Sequence, residues 1–343
     1  MADLPSSPKI HVLRRRPASG VRWALASALL LGFTPIFGKQ AISAGMAPLT
    51  VVALRTAAAA ILVLIALVLL RRDLTIYPVG LLGCFVAGTV NGVGSLLYYA
   101  GLARLDAGLA QMLYGLYPLF VAAFLYLDGQ RHGRLVLLGL ALSVPATYLL
   151  TQTSHVEVDT AGVGMMLGAG FLFAVHIPFN ERVLYEVPAP TVTFYTLLAM
   201  TAVVVPAAML GSPWRQSIPA AAALPLVGLT AVTFLSRLAL FSGVKSIGGL
   251  KTTLLGLAEL VVALTVAHFW LGEGWTLGQI AGGALLAMAL WLAGLDRPRL
   301  ARDHRLGILW WLRPPMVEGV ASEARQAAAR QDPGLVDAEG KVR

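Results

Sequence analysis

The chain has 343 residues, 57% apolar and 13% charged, with a formal net charge of +9. A soluble domain carries roughly 25% charged and about 45–50% apolar residues, so these proportions exclude a water-soluble globule. The single cysteine, Cys84, removes a disulfide framework, a cysteine zinc site and an iron–sulfur cluster, and no cofactor is expected.

Residues 1–19 form a basic tail with Arg14, Arg15 and Arg16. A helical span needs about 20 mostly apolar residues, and ten candidates follow: 21–43, 48–70, 78–101, 107–127, 134–151, 162–184, 190–210, 224–244, 250–271 and 276–295. The first is too long for a signal peptide and no small-x-small site follows it, so it reads as an uncleaved span. Charged turns separate the others, among them Arg71-Arg72-Asp73 and Asp128 to Arg134. The fifth span carries Pro145. Continuous apolar runs, without alternation, exclude a β-barrel. The tail 296–343 holds nine basic residues and an interfacial Trp310-Trp311 segment. Clustering at the ends and in short loops makes the charge a topology signal rather than a nucleic-acid footprint. On one side the loops hold Arg71, Arg72, Arg131, Arg134, Arg182, Lys245 and Lys251; on the other they hold Arg104 and Arg215. The positive-inside rule puts both termini in the cytoplasm of a plasma (inner) membrane protein.

The chain repeats itself. Shifted by 142, Gly20-Val21 falls on Gly162-Val163, Phe37 on Phe179 and Pro48 on Pro190. Shifted by 141, Gly108-Leu109 meets Gly249-Leu250 and Gly115-Leu116 meets Gly256-Leu257, with eight identities in the fifteen positions 108–122. The repeat units are 20–151 and 162–295. Each holds five spans, so the second copy crosses in the opposite sense. The expected fold is an all-α membrane protein of ten helices in two inverted five-helix repeats, with the binding site at midplane between halves.

Charged side chains inside spans are costly and mark cavities. Here they are Lys39, Arg55, Arg237 and Glu259, with Glu181 nearer an end. In the ninth span Thr252, Gly256 and Glu259 share one helical face, and their repeat partners are Gln111, Gly115 and Pro118. Tyr114 flanks that stripe. His176 and Asn180 share a face of the sixth span beside Phe173; Asn91, Ser95 and Tyr98 share one in the third; Thr233 and Arg237 share one in the eighth. The substrate-site expectation is therefore Lys39, Arg55, Asn91, Tyr98, Gln111, Tyr114, Phe173, His176, Asn180, Arg237, Thr252 and Glu259. The polar stripes can equally serve as interhelical glue, at about 0.6 kcal/mol per bond. No HExxH, GxSxG or P-loop occurs, so neither an enzyme nor ATP drive within this chain is expected.

The order of several local patterns resembles the EamA-like branch of the drug/metabolite transporter superfamily. Pro48 opens the second span, with Arg55 seven residues on. Ala107-Gly108-Leu109-Ala110 precedes Leu116-Tyr117-Pro118-Leu119, and Leu257-Ala258-Glu259 precedes Leu271-Gly272-Glu273 and Gln279-Ile280-Ala281-Gly282. The resemblance implies a secondary-active exporter of a small polar metabolite such as an amino acid. Its partners would be that solute and the lipid bilayer, and it leaves room for proton coupling and for a homodimer. A flippase for lipid headgroups or lipid-linked sugars is the alternative, with Lys39 and Arg55 meeting a phosphate. Two departures stand out. Leu127-Asp128-Gly129-Gln130-Arg131 replaces the family's Leu-Gly-Glu-Arg, and Leu260 replaces a proline after Glu259. The second predicts a straighter ninth helix than the fourth.

Overall fold

A computed structural model describes residues 17–127, 135, 138–139, 141–142, 145–146, 149, 159–211, 218–256, 258–272, 274 and 276–295. These residues are all-helical apart from turns and short connections. The helices with defined bounds are α1 (Pro17–Leu31), α2 (Thr34–Ser43), α3 (Pro48–Leu69), α4 (Pro78–Arg104), α5 (Ala107–Tyr114), α6 (Tyr117–Leu127), α7 (Thr160–Leu184), α8 (Ala189–Gly211), α9 (Ala220–Ile247), α10 (Gly249–Leu255), α11 (Ala258–Val266) and α12 (Leu277–Leu295). A π-helical turn, Ala267–Leu271, closes the stretch after α11.

Among the described residues eight stretches are long and apolar enough to cross a bilayer: Ala18–Ser43, Pro48–Leu69, Pro78–Arg104, Ala107–Phe124, Thr160–Leu184, Ala189–Gly211, Ala220–Ile247 and Gly249–Leu271. They correspond to the first four expected spans and to the sixth through ninth. In the tenth, α12, the apolar part is shorter, Ile280–Ala289. Most of the fifth expected span, the Asp128–Arg134 turn and both tails lie outside the described residues. Helix starts follow local chemistry. Prolines stand in the first turns of α3 and α4, where a missing N–H costs nothing. Asp159 caps α7 by accepting from the amides of Ala161 and Gly162, at 2.9 and 3.2 Å.

The packing follows the internal repeat. The most extensive contacts join the first span to the eighth and the third to the sixth. Exchanging the halves turns one pair into the other. Glycines permit the close approach: a Cβ on Gly88 of the third span would lie 2.5 Å from the Thr196 carbonyl of the seventh. The second and seventh spans, equivalent in the repeat, pack antiparallel. Leu49 at the start of α3 meets Gly211 at the end of α8. Near the other end, the hydroxyls of Thr191 and Tyr195 donate to the carbonyls of Asp73 and Leu74, at 2.7 and 2.9 Å.

The fourth and ninth spans also cross antiparallel, α5 against α11 and α10 against α6. Both are interrupted at the crossing. The fourth breaks at Gly115-Leu116 and the ninth at Gly256, the same repeat position. The expectation of a ninth helix straighter than the fourth is thus corrected, since both are interrupted. A proline is not needed for the break, because glycine already weakens a helix interior. Pro118 sits in the first turn of α6, and the carbonyl freed before it, that of Tyr114, packs against Gly170, where a Cβ would stand 3.1 Å away. Irregular backbone at membrane depth is tolerated where it is buried in protein or lines a cavity.

Candidate functional site

A narrow cavity of ≈ 40 Å³ lies where the halves meet, room for about three water molecules. The first, second, third, fourth, sixth, eighth and ninth spans all contribute to its wall. The wall obeys the repeat. Shifted by 142, Leu31 becomes Phe173, Asn91 becomes Thr233, Gly94 becomes Ser236 and Ser95 becomes Arg237, and all eight line the cavity. The backbone positions are duplicated, but the side-chain chemistry is not.

Arg55 and Arg237 are each 6% exposed, and both are held by neutral groups. Arg55 donates to the Thr233 hydroxyl at 3.0 Å and to the Ser95 hydroxyl at 3.5 Å. Its guanidinium also lies 4.8 Å from the centre of the Tyr99 ring, a cation–π distance. Its Nε has no hydrogen-bond partner among the described residues. Arg237 donates through both terminal nitrogens to the Asn91 side-chain oxygen, at 3.1 Å each; these donors fix the amide orientation. Arg237 also stacks 5.4 Å from the Phe173 centroid and reaches Nε2 of His176 at 3.4 Å. His176 in turn places Nδ1 against the Phe173 carbonyl. This pattern selects the tautomer with the proton on Nδ1, leaving Nε2 to accept from Arg237. The imidazole thus orients an arginine.

Glu259 is 1% exposed and lines the cavity from the first turn of α11. The Tyr117 hydroxyl meets its carboxyl, while Oε1 has no hydrogen-bond partner among the described residues. Among the described residues no ion pair within 4.0 Å joins Glu259 to Arg55 or Arg237. Three rings line the wall in sequence, Tyr98 to Tyr114 at 5.0 Å and Tyr114 to Phe173 at 5.5 Å, and Tyr117 packs on Phe173 at 4.9 Å. Tyr98 donates to the Gln111 side chain at 3.0 Å, fixing both on the cavity wall.

Eight of the twelve expected site residues line this cavity: Arg55, Asn91, Tyr98, Gln111, Tyr114, Phe173, Arg237 and Glu259. His176 stands directly behind it. The other three lie elsewhere and are occupied. Asn180 donates to the His176 carbonyl and accepts from Thr196. Thr252 bonds back to the Gly248 carbonyl at 2.8 Å. Lys39 donates to the carbonyls of Leu102 and Leu105, at 3.0 and 2.6 Å, where the third span ends. Ser95 and Thr233, read as members of polar faces, prove to be the partners that hold Arg55. Ser236 and Tyr117 lacked any charged or paired signal of their own; the 142 shift from Gly94 would have found Ser236.

At the membrane edge the chemistry is different. Arg104 and Asp159 form an exposed ion pair at 2.8 Å. That hydrogen bond, with those from the α7 amides, holds the Asp159 carboxyl below its ordinary range. Glu181, the repeat equivalent of Lys39 by the 142 shift, lies against Gly248 and Gly249: a Cβ on Gly249 would stand 2.7 Å from its Oε2.

Comparison with known proteins agrees with this architecture. The model of the EamA-like transporter family matches twice, over residues 18–152 and 160–295. An uncharacterized transporter of Archaeoglobus fulgidus is 27% identical over 201 residues, which is 57% of this chain and 70% of that protein. A solved crystal structure superposes with a TM-score of 0.61 at 18% identity, over 83% of this chain and 99% of the other, a likeness of fold. With both halves matched, the multi-pass membrane protein described above belongs to the EamA-like transporter family.

Proposed function

We propose that this chain is a secondary-active transporter, an exporter of a small polar metabolite such as an amino acid, working by alternating access. It crosses the plasma (inner) membrane ten times as two inverted repeats, 20–151 and 162–295, with both termini cytoplasmic. The observation that carries the reading is the buried polar cavity, walled by repeat-equivalent positions of both halves and holding an unpartnered carboxylate oxygen and an unpartnered guanidinium N–H. Buried polar atoms are normally paired, and a site that awaits a solute is a reason for exceptions. Antiparallel crossing of the duplicated second and seventh, and fourth and ninth, spans supports the inverted arrangement. Arg237 and Arg55 then contact the solute, the rings of Tyr98, Tyr114 and Phe173 confine it, and Glu259 senses an amine or a proton.

The flippase reading asks Lys39 and Arg55 to meet a lipid phosphate. The Lys39 ammonium already serves two backbone carbonyls and Arg55 lines the buried cavity, which favours the soluble solute. The test is a counterflow screen with the purified chain in liposomes, across amino acids, nucleobases and organic acids, with and without a pH gradient. Exchange of a solute that Glu259→Gln and Arg237→Ala both impair is expected. Exchange unaffected by both substitutions would remove the site assignment, and no exchange of any solute would remove the transport reading.

A further inference from the structure

The cavity contains two guanidiniums and one carboxyl. Arginine does not give up its proton in proteins. Here both arginines are supplied with uncharged partners: Thr233, Ser95, Asn91 and His176. A buried charge is normally paired with an opposite one. Among the described residues Glu259 is the one acidic side chain that lines the cavity, so it can balance one arginine at most. The second has no countercharge among the described residues of the wall. The vacant hydrogen-bonding capacity has the same composition, a guanidinium N–H on Arg55 and a carboxylate oxygen on Glu259.

From this we infer that the solute is the charge complement of the wall: two carboxylates and one ammonium, a dicarboxylic amino acid with a net single negative charge. The inference rests on the transport reading and names the substrate class of the same site. The carboxylates meet Arg55 and Arg237, whose planar forks match carboxylate geometry. The ammonium meets Glu259 Oε1. A neutral amino acid leaves one positive charge unanswered, and a dicarboxylate without an amine leaves Glu259 Oε1 without a donor. The space of ≈ 40 Å³ is smaller than such a solute, so binding requires the wall to move apart, and the interrupted fourth and ninth spans are the segments placed to do it.

The experiment uses the full chain in proteoliposomes, with radiolabelled L-aspartate, L-glutamate, succinate, L-alanine and putrescine as counterflow probes. Thermal unfolding of the chain in detergent is followed with the same probes, sodium chloride and sodium phosphate. Aspartate or glutamate should exchange best. Arg55→Gln and Arg237→Gln should each weaken the acidic amino acid by about tenfold or more, the loss of a charge-assisted contact, with Arg237→Lys recovering part of it. Glu259→Gln should reverse the preference, favouring succinate over aspartate, which a purely structural role would not do. Alanine or putrescine exchanging while aspartate and glutamate do not would overturn the inference and leave the transport reading intact. With no exchange of any probe, unfolding decides. Stabilisation by aspartate or glutamate that the arginine variants abolish upholds the inference alone. No such stabilisation, or an equal effect from chloride or phosphate, overturns it.

Discussion

The fourth and ninth spans are the same element used twice, and they differ where it matters most. Both break at the same repeat glycine, Gly115 and Gly256, and each break packs against the other span. Three residues past the break, the fourth span carries Pro118 and the ninth carries Glu259. The fourth contributes the Tyr114 ring, with Tyr117 packed against it; the ninth contributes the only carboxylate of the cavity wall among the described residues. The duplicated backbone gives two matching breaks, which the proposed alternating access would use as hinges, and the unduplicated side chain gives the cavity wall a polarity. Exchange of conformations between halves needs symmetry only in the backbone, so the wall is free to be asymmetric in charge.

That contrast can be broken at its chemical end first. Glu259→Gln keeps the break and removes the charge. Exchange of the preferred solute should fall by about tenfold or more, read as the initial counterflow rate, with the melting temperature barely lowered. Pro118→Ala, at the equivalent position, should spare the rate. The backbone end comes next. A Cβ on Gly256 would press on the Tyr117 hydroxyl and stand 2.8 Å from the Thr253 carbonyl, whereas one on Gly115 meets chiefly the movable methyls of Leu260, the nearest at 2.8 Å. Gly256→Ala should therefore destabilise by about 1–3 kcal/mol and Gly115→Ala by less, measured by thermal unfolding in detergent. Equal losses would show that the two breaks are alike in packing as well as in position.

Tyr117→Phe tests the hydroxyl of the fourth span that meets the Glu259 carboxyl. Intramembrane hydrogen bonds average about 0.6 kcal/mol, so a change of about threefold in apparent solute affinity is expected. The smallest effect belongs to the rim, at Asp159→Asn. The Asp159 carboxyl is held below its ordinary value, so the folded state binds its proton less readily than the unfolded state does. Its contribution is complete above the ordinary Asp value of about 3.9 and fades as pH falls further, through the lowered folded value. Asp159→Asn should flatten that acid-side slope of thermal stability, its small loss being present at neutral pH and vanishing in acid.

Much of this was legible in the chain. Apolar runs of span length follow from the bilayer alone, and a constant offset near 142 exposes the duplication. The i, i+4, i+7 faces gathered Asn91, Tyr98, Arg237 and Glu259, which all line the cavity, because helical periodicity decides which residues share a side. The remainder depended on distant backbone. Thr252 and Asn180 sit on polar stripes, yet their hydrogen bonds stay within or between helices rather than facing the cavity. Nothing local distinguishes such a residue from a ligand-binding one. The break at Gly256 was missed because a single glycine is a weak helix breaker, and what makes it one is the span that crosses it.

Lys39 and Glu181 occupy one repeat position with opposite charge, the first on carbonyls that end the third span and the second beside glycines where the ninth begins. A junction where one helix stops and the next starts presents unsatisfied oxygens and unsatisfied amides together. Either sign of side chain finds a backbone dipole to answer it there. Residues seated at such junctions therefore say which helix end they seal.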